Sequence, residues 1–322
     1  MMSEEYKWPI PCGISVPQVF TETDVDIEFV RAFAKDAEAL GYHSLWVQER
    51  IIGTANQLEP INLLSFLSGI TKTIRLGTAV IVATTRNPFV LAKELTTLDH
   101  LSDGRLTLGL ALGGNPSTYQ LLGAPESHRV RHFMESLNII KDFWTQERVS
   151  REGTFWNFRE LSMMPMPVQK PRPPIWLGGR HPDALKRSVR HADGWMGAGS
   201  TSSKEFANHV KIVQDEMARL NVKPSDFHIS KRCYIAIDDD EQRAESRLAD
   251  WFGAHYGNSE MAGHVSVFGS RDKCANGLQE IIDAGAQMLM LNPVFDQMEH
   301  LHSLKEEVIP LLKSASSRSV GH

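Results

Sequence analysis

Residues 74–114 read IRLGTAVIVATTRNPFVLAKELTTLDHLSDGRLTLGLALGG, and this stretch decides the fold class. Its first ten residues, 74–83, are rich in β-branched and apolar side chains, which is typical of a strand buried on both faces of a parallel sheet. Pro88 suits the first turn of a helix, and Gly104 suits the left-handed residue that ends one. Residues 105–112 form a second apolar strand that runs into two glycines. The stretch therefore predicts a complete β-α-β unit whose glycine-rich end allows a ligand to approach the backbone closely.

The same alternation of strand and helix signals continues along the whole chain. We count eight strand signals, nearly all followed by a helix signal, which predicts a single-domain (β/α)8 TIM barrel over residues 1–322. A doubly wound open sheet is the alternative. The predicted strands lie at residues 12–16, 44–48, 74–83, 105–112, 175–177, 194–198, 228–237 and 287–291.

Three segments depart from this alternation. Residues 147–174 follow the fourth predicted helix and contain a Phe-Trp-Asn-Phe sequence at 155–158 and five prolines. We interpret them as an insertion, a hairpin or lid followed by an extended return, although the aromatic residues could simply pack on the barrel rim. Residues 254–269 carry three glycines and are interpreted as a loop. The tail at 314–322 is expected to be frayed or disordered.

The composition excludes several classes of protein. A net charge of −5 without a long basic run argues against a surface for nucleic acid or anionic membranes. We see no secretory signal and no apolar stretch long enough to span a membrane. Three widely spaced cysteines are typical of reduced thiols in the cytoplasm. No His-x-His sequence follows a predicted strand, so no metal site is expected.

Two glycine-rich loops are the clearest candidate binding sites. Gly178 and Gly179 follow the fifth strand and precede a helix, where exposed N–H groups can bind an anion, and Arg180 adds a guanidinium suited to phosphate. A plain tight turn is the alternative. After the sixth strand, the small and hydroxylated residues at 197–201 suit a phosphate or a ribityl chain, or form a flexible loop. The candidates in this second loop are Gly197, Ala198, Gly199 and Ser200.

Short phrases spread over most of the chain resemble one known family. In order and spacing they are similar to the bacterial luciferase-like superfamily, which comprises flavin-dependent monooxygenases and relatives that use the deazaflavin F420. The insertion also matches a segment that is characteristic of this family. The phrases are LWV at 45–47, RNP at 86–88, LAKE at 91–94, TLD at 97–99, SDGR at 102–105, PPIWLGG at 173–179 and ADGW at 192–195.

The resemblance implies a redox enzyme with F420 or FMN as its cofactor and a small organic substrate. With FMN, a separate flavin reductase supplies reduced cofactor and an oxygen atom reaches the substrate; with F420, a hydride is transferred. The sequence around Arg86, Gly178 and Asp193 resembles the F420-using branch and favours F420. Relatives often have an acidic residue followed by His at the end of the second strand, and the absence of this pair at 49–50 counts against F420. A homodimer is also implied. A non-catalytic flavin-binding barrel is the alternative, and a hydrolase lacks a visible nucleophile pair or metal cluster.

The resemblance further implies roles at strand ends. A bulge at Thr78, Ala79 and Val80 would support the cofactor ring, with a non-proline cis peptide that we place at Ala79–Val80; an ordinary buried strand is the alternative. Glu49 is a candidate substrate-facing acid or base, or a structural partner of Arg50 or another base. The remaining candidates for cofactor binding are Gly113, Gly114 and Asn115, near which many F420-using relatives carry a carboxylate, and Arg131. With Arg129, Arg131 lies near the expected phosphate, and a solvated helix end is the alternative.

Overall fold

Eight parallel strands close into a barrel in the computed structural model, which describes residues 8–21, 23–114 and 116–314. The first strand pairs with both the second and the last, as Gly13 opposite Ser44 and Cys12 opposite Leu289 show. The predicted TIM barrel is therefore confirmed. The strands are β1 (Cys12–Ser15), β2 (Ser44–Val47), β3 (Arg75–Thr78), β4 (Leu106–Ala111), β5 (Ile175–Gly178), β6 (Gly194–Gly197), β7 (His228–Ile237) and β8 (Met288–Asn292).

The helices surround the barrel and begin at strong local signals. Pro60, Pro88 and Pro182 each open a helix, and Ser202 forms a capping box with Glu205. No helix among the described residues is long and apolar enough to cross a membrane. The main helices are α1 (Ile27–Ala39), α2 (Pro60–Ile70), α3 (Pro88–Leu101), α4 (Arg129–Thr145), α5 (Pro182–His191), α6 (Ser203–Leu220), α7 (Glu241–Tyr256), α8 (Arg271–Asp283) and α9 (Gln297–Ser303), with shorter helices at Pro116–Leu121 and Met261–Val265.

The third predicted strand, residues 74–83, is broken where the sequence shows only a continuous apolar run. Strand β3 ends at Thr78, and the chain resumes pairing at Ile81–Val82, again alongside β4. Between the two pieces the Ala79–Val80 peptide bond is cis, as predicted. The Thr78 hydroxyl donates to the Gly109 carbonyl and accepts from the Gly109 N–H, so it occupies backbone groups that would otherwise serve the ladder.

The loop interpretation of residues 254–269 is wrong. Helix α7 continues to Tyr256, a short helix follows at Met261–Val265, and Val267–Gly269 forms a strand. The cause lies in β7, which is ten residues long and offers the unpaired edge of Ile235–Ile237 to this strand. Glycine content alone did not reveal that partner.

The insertion contains the predicted hairpin, with strands at Val149–Glu152 and Asn157–Leu161. Its turn is held by Glu135 of α4, whose carboxylate accepts from the N–H groups of Thr154 and Phe155. The ring of His132, also on α4, packs against Phe155 and Trp156. The aromatic segment therefore packs on a helix outside the barrel and is not a lid over its mouth. Residues 315–322 of the tail lie outside the described part of the chain.

Large side chains fill the barrel interior. The indoles of Trp46 and Trp176 stack with ring centroids 5.6 Å apart, beside three methionines of β6 and β8. Glycine on neighbouring strands makes room for them: a Cβ on Gly77 would lie 2.3 Å from the Trp46 ring. The packed interior leaves the carboxyl ends of the strands as the place for a site.

A buried histidine in α7 predicts sensitivity to acid. His255 is 3% exposed and packs on Trp251, and burial, with Arg50 and Arg232 nearby, lowers its pKa from 6.5 to about 4. The stability owed to the neutral ring is complete above about pH 6.5 and is lost as the pH falls towards 4, because the unfolded chain then binds a proton that the folded chain does not. For His255→Phe we expect a plot of unfolding free energy against pH that is shallower over this range by up to about 1.4 kcal/mol per pH unit.

Urea denaturation at a series of pH values measures this slope. The matched control is His264→Phe, because His264 is exposed. An unchanged slope in the His255 variant would contradict the assignment.

Candidate functional site

A cavity of about 680 Å³ opens at the carboxyl ends of strands β4 to β8. This volume lies within the range of small-molecule and cofactor sites. Most of the lining is backbone or apolar side chain, and its polar groups gather at two ends. The lining residues include Ala79, Val80, Ala111, Leu112, Gly113, Gly114, Gly178, Gly179, Arg180, Arg187, Met196, Gly197, Ala198, Gly199, Ser200, Arg232, Tyr234, Tyr256, Asn258, Met261 and Met290.

One wall of the cavity is formed by the cis peptide of Ala79 and Val80. Gly178 stands against this wall: a Cβ there would lie 3.1 Å from the Val80 side chain and 3.5 Å from Ala111. The missing side chain thus keeps a slot open between β3 and β5. Such a slot, with apolar side chains on one face, is suited to a planar ring.

The end of the cavity near α5 carries unpaired positive charge. Arg180 is exposed and Arg187 is half-buried, and neither guanidinium has a hydrogen bond or an ion pair within the part of the chain that the structure describes. Gly179 and the start of α5 lie beside them. This end therefore suits a phosphate. Sequence reasoning missed Arg187, although its position seven residues after Arg180, within a helix, was a usable signal.

The loop after β6 lines the cavity and is held from behind by Lys231. Lys231 is 2% exposed, and its Nζ donates to the carbonyls of Ala198 and Thr201 and, at 3.2 Å, to the Thr201 hydroxyl. Burial lowers the pKa of this ammonium to about 8. The lysine was missed because an isolated basic residue in a strand gives no sign of which loop it will reach.

The opposite end of the cavity presents polar side chains from β7 and α7. The hydroxyls of Tyr234 and Tyr256 lie 2.6 Å apart, and burial raises the pKa of Tyr234 well above its ordinary value. Arg232 also faces this end. Sequence reasoning missed these residues, yet the spacing of Arg232 and Tyr234 by two along a strand was a signal that both point to one face.

Glu49 lies outside this cavity and in a salt-bridge network. Its carboxylate accepts from the Val82 N–H at 2.6 Å and from Arg86, which also pairs with Glu59. Burial raises the pKa of Glu49, while Arg86 and the Val82 N–H oppose the rise. Of the two roles expected for Glu49, the structure shows the structural one, because its carboxylate pairs with Arg86. Arg50, the other expected partner, donates to the His255 carbonyl.

Some of the other candidates do not reach the cavity. The Thr78 side chain is fully buried against Gly109. Arg131 is exposed and absent from the lining, whereas Arg129 donates to the Gly113 carbonyl at 3.1 Å. Asn115 lies outside the described residues. The candidate residues that do line the cavity are Ala79, Val80, Gly113, Gly114, Gly178, Gly179, Arg180, Gly197, Ala198, Gly199 and Ser200.

Potential metal ligands are not clustered in the described part of the chain. Within residues 8–21, 23–114 and 116–314 no group of three or more His, Cys, Asp or Glu side chains could hold a metal ion. Among the described lining residues of the cavity there is also no carboxylate. The arrangement is therefore an apolar slot with cationic groups at its ends.

The chain is similar to known proteins over most of its length. The family model described as luciferase-like monooxygenase matches residues 11–304. An FMNH2-dependent dimethylsulfone monooxygenase of Pseudomonas putida is 26% identical over 244 residues, which is 74% of this chain and 66%, just under two thirds, of that protein. An uncharacterized protein of Mycobacterium tuberculosis is 33% identical over 194 residues, covering 56% of this chain and 68% of that protein.

Solved structures share the fold. An F420-dependent secondary alcohol dehydrogenase, in complex with an F420-acetone adduct, superimposes with a TM-score of 0.83 at 16% identity, over 95% of this chain and 99% of that one. At this identity the likeness concerns the architecture of the barrel.

Proposed function

The chain belongs to the luciferase-like monooxygenase family, and from this premise we propose that it transfers one oxygen atom of O2 to a small organic substrate. Reduced FMN bound in the cavity would supply the two electrons, and the second oxygen atom would leave as water. The observation that carries the proposal is the shape and charge of that cavity. An open slot beside the Ala79–Val80 peptide leads to two unpaired guanidiniums, of Arg180 and Arg187. A ligand with a planar ring and a phosphate at the end of its side chain would place the ring in the slot and the phosphate at the guanidiniums.

The residues present fit such a cofactor. Val80 and Gly178 leave room for a ring, the loop at 197–200 is free of bulky side chains, and Arg180 and Arg187 supply charge for a phosphate. The bound cofactor supplies the redox chemistry. The chain orients it, excludes water with apolar side chains such as those of Met196 and Met290, and keeps the substrate beside the ring.

FMN is the cofactor that we propose, and F420 is the second candidate. The described lining of the cavity offers no carboxylate, and Glu49, the one acid considered for proton transfer, is held by Arg86. The relative from Pseudomonas putida is FMNH2-dependent. The phrases around Arg86, Gly178 and Asp193 are what favours F420. Titration of the purified protein with FMN, reduced FMN and F420 decides between them, and no binding of any of the three would overturn the proposal.

We propose three further properties of the protein. A separate flavin reductase supplies the reduced FMN, the protein forms a homodimer, and the chain works as a single domain in the cytoplasm. A reductase partner is supported by the related oxygenase component of a flavin-dependent trigonelline monooxygenase from Acinetobacter baylyi. Sedimentation tests the dimer, and turnover that requires added reductase tests the partner.

The phosphate end of the cavity allows a selective test. For the double variant Arg180→Gln/Arg187→Gln we expect the Kd of FMN to rise by about tenfold or more, because two charge-assisted contacts to the phosphate are lost. Riboflavin, which has the same ring without a phosphate, should bind the variant and the wild type alike. Fluorescence titration of both ligands measures the difference.

Lys186→Gln is the matched control, because this exposed lysine of α5 is absent from the cavity lining. Equal losses of FMN and riboflavin binding would show that the arginines support the fold of the loop and do not recognise the phosphate.

A further inference from the structure

Arg232 places a positive charge inside the barrel mouth, far along the chain from the phosphate end. It lines the large cavity and also a smaller neighbouring pocket, and the two share Ala79 as well. The guanidinium lies over the ring of Tyr234, 5.1 Å from its centroid. Arg232 therefore lines the same cavity as the wall that we assign to the cofactor ring.

The protein does not neutralise this charge. Within the described part of the chain Arg232 forms no ion pair, and the residues lining either pocket include no aspartate or glutamate. By contrast, Arg86, which lies just before helix α3, is surrounded by Glu49, Glu59 and Glu94. A half-buried guanidinium without a carboxylate partner is costly unless a ligand supplies the opposite charge.

The contacts that Arg232 does make hold it in place without removing its charge. The amide of Asn292 satisfies its neighbours when its oxygen accepts from Arg232 Nη2 at 2.7 Å and its nitrogen donates to Ser15 Oγ at 3.0 Å. One edge of the guanidinium is thus fixed by a neutral amide, and the group also lies over an aromatic ring. Within the described part of the chain the guanidinium has no further hydrogen bond, so its remaining N–H groups can bind an oxyanion.

The smaller pocket beside Arg232, about 20 Å³, has room for a single water molecule and not for an organic ligand. It contains uncharged hydrogen-bonding side chains, among them Gln18 and Gln48, and the indoles of Trp46 and Trp251. Gln18 is itself fixed, because its amide bonds to the backbone of Gln48 and Leu58. The apolar part of an organic acid with its carboxylate on Arg232 would therefore lie in the large cavity, which also presents Tyr256 and Met290.

We propose that Arg232 binds the carboxylate of an organic acid substrate and holds it beside the cofactor ring at Ala79. The proposal rests on the proposed function, since it assigns the substrate class of the same site. It makes Arg232 a specificity-determining residue, distinct from Arg180 and Arg187 at the phosphate end.

The test compares matched acids and amides as probes. Benzoate and benzamide are titrated by calorimetry into the full chain loaded with FMN, in the wild type, Arg232→Gln and Arg232→Lys. We expect the wild type to bind benzoate about tenfold more tightly than benzamide, because one probe offers a charge-assisted hydrogen bond and the other a neutral one. Arg232→Gln should bind both probes equally, and Arg232→Lys should restore part of the preference.

Arg159→Gln is the control, because it removes the same charge from an exposed position on the hairpin. A wild type without preference, or a preference that survives in Arg232→Gln, overturns the proposal. So does a variant that loses affinity for reduced FMN while its preference for benzoate is unchanged, because the guanidinium would then serve the ring. Failure of FMN to bind at all would instead count against the proposed function, and the same titration without cofactor would still test Arg232.

Discussion

Gly109→Ala should lower the free energy of unfolding by about 3 kcal/mol, at the upper end of the usual cost of overpacking a core. A Cβ at this position would lie 1.9 Å from the Thr78 carbonyl oxygen and 2.7 Å from the sulfur of Met196. The first of these is backbone and cannot rotate away. The variant must separate β3 from β4 where the Thr78 hydroxyl exchanges hydrogen bonds with Gly109.

Chemical denaturation of the variant and the wild type measures this loss. Because Thr78 precedes the Ala79–Val80 wall, affinity for FMN should fall along with stability. Gly69→Ala is the matched control: Gly69 lies in α2 with no atom within 4 Å of the added Cβ, so the same substitution should leave stability unchanged or raise it by about 0.5 kcal/mol. If both variants were equally stable, the close approach of β3 and β4 would be wrong.

Lys231→Met should have the second large effect, on both stability and cofactor binding. The substitution keeps an unbranched side chain, one heavy atom shorter, but removes the donor that serves the carbonyls of Ala198 and Thr201. Leaving these groups without their partner costs about 1–3 kcal/mol. The loop at 197–200 would lose its support. We expect the Kd of FMN to rise by about tenfold, because the backbone donors of this loop would no longer be held in position.

Denaturation and FMN titration at pH 7, where the wild-type ammonium is charged, measure the two effects. Lys231→Arg retains donors and should recover part of the binding, and the exposed Lys211→Met of α6 should match the wild type. A variant that loses stability but binds FMN normally would limit Lys231 to a structural role.

The sequence predicted the elements of this fold well because each depends on neighbouring residues. Pro88 begins α3 and Gly104 ends its turn with a φ of 73°, as expected. The glycine-rich ends of β5 and β6 line the cavity, because parallel strands direct their carboxyl ends to one face. The resemblance to a known family added the position of the cis peptide.

Contacts between distant parts of the chain were the information that the sequence lacked. Glu49 is 37 residues from Arg86. No local pattern indicated that the two would pair, so Glu49 was considered as a substrate-facing acid or base. The strand at Val267–Gly269 exists because the end of β7 offers it an edge. Lys231 reaches a loop 30 residues away.

Closure of the sheet into a barrel is shown only by the pairing of β1 with β8, because a doubly wound sheet has the same alternation of elements. The order of strands and helices, and with it the face that carries the site, follows from hydrophobic period, capping and turn chemistry along the chain. These are local quantities, so the sequence expresses them directly. Which charges are neutralised and which stay available was decided only by packing. Arg86 and Arg232 look alike in sequence, but the fold surrounds one with carboxylates and leaves the other facing the cavity. Charge pairing acts over a few ångströms in space, and such distances are set by the tertiary structure.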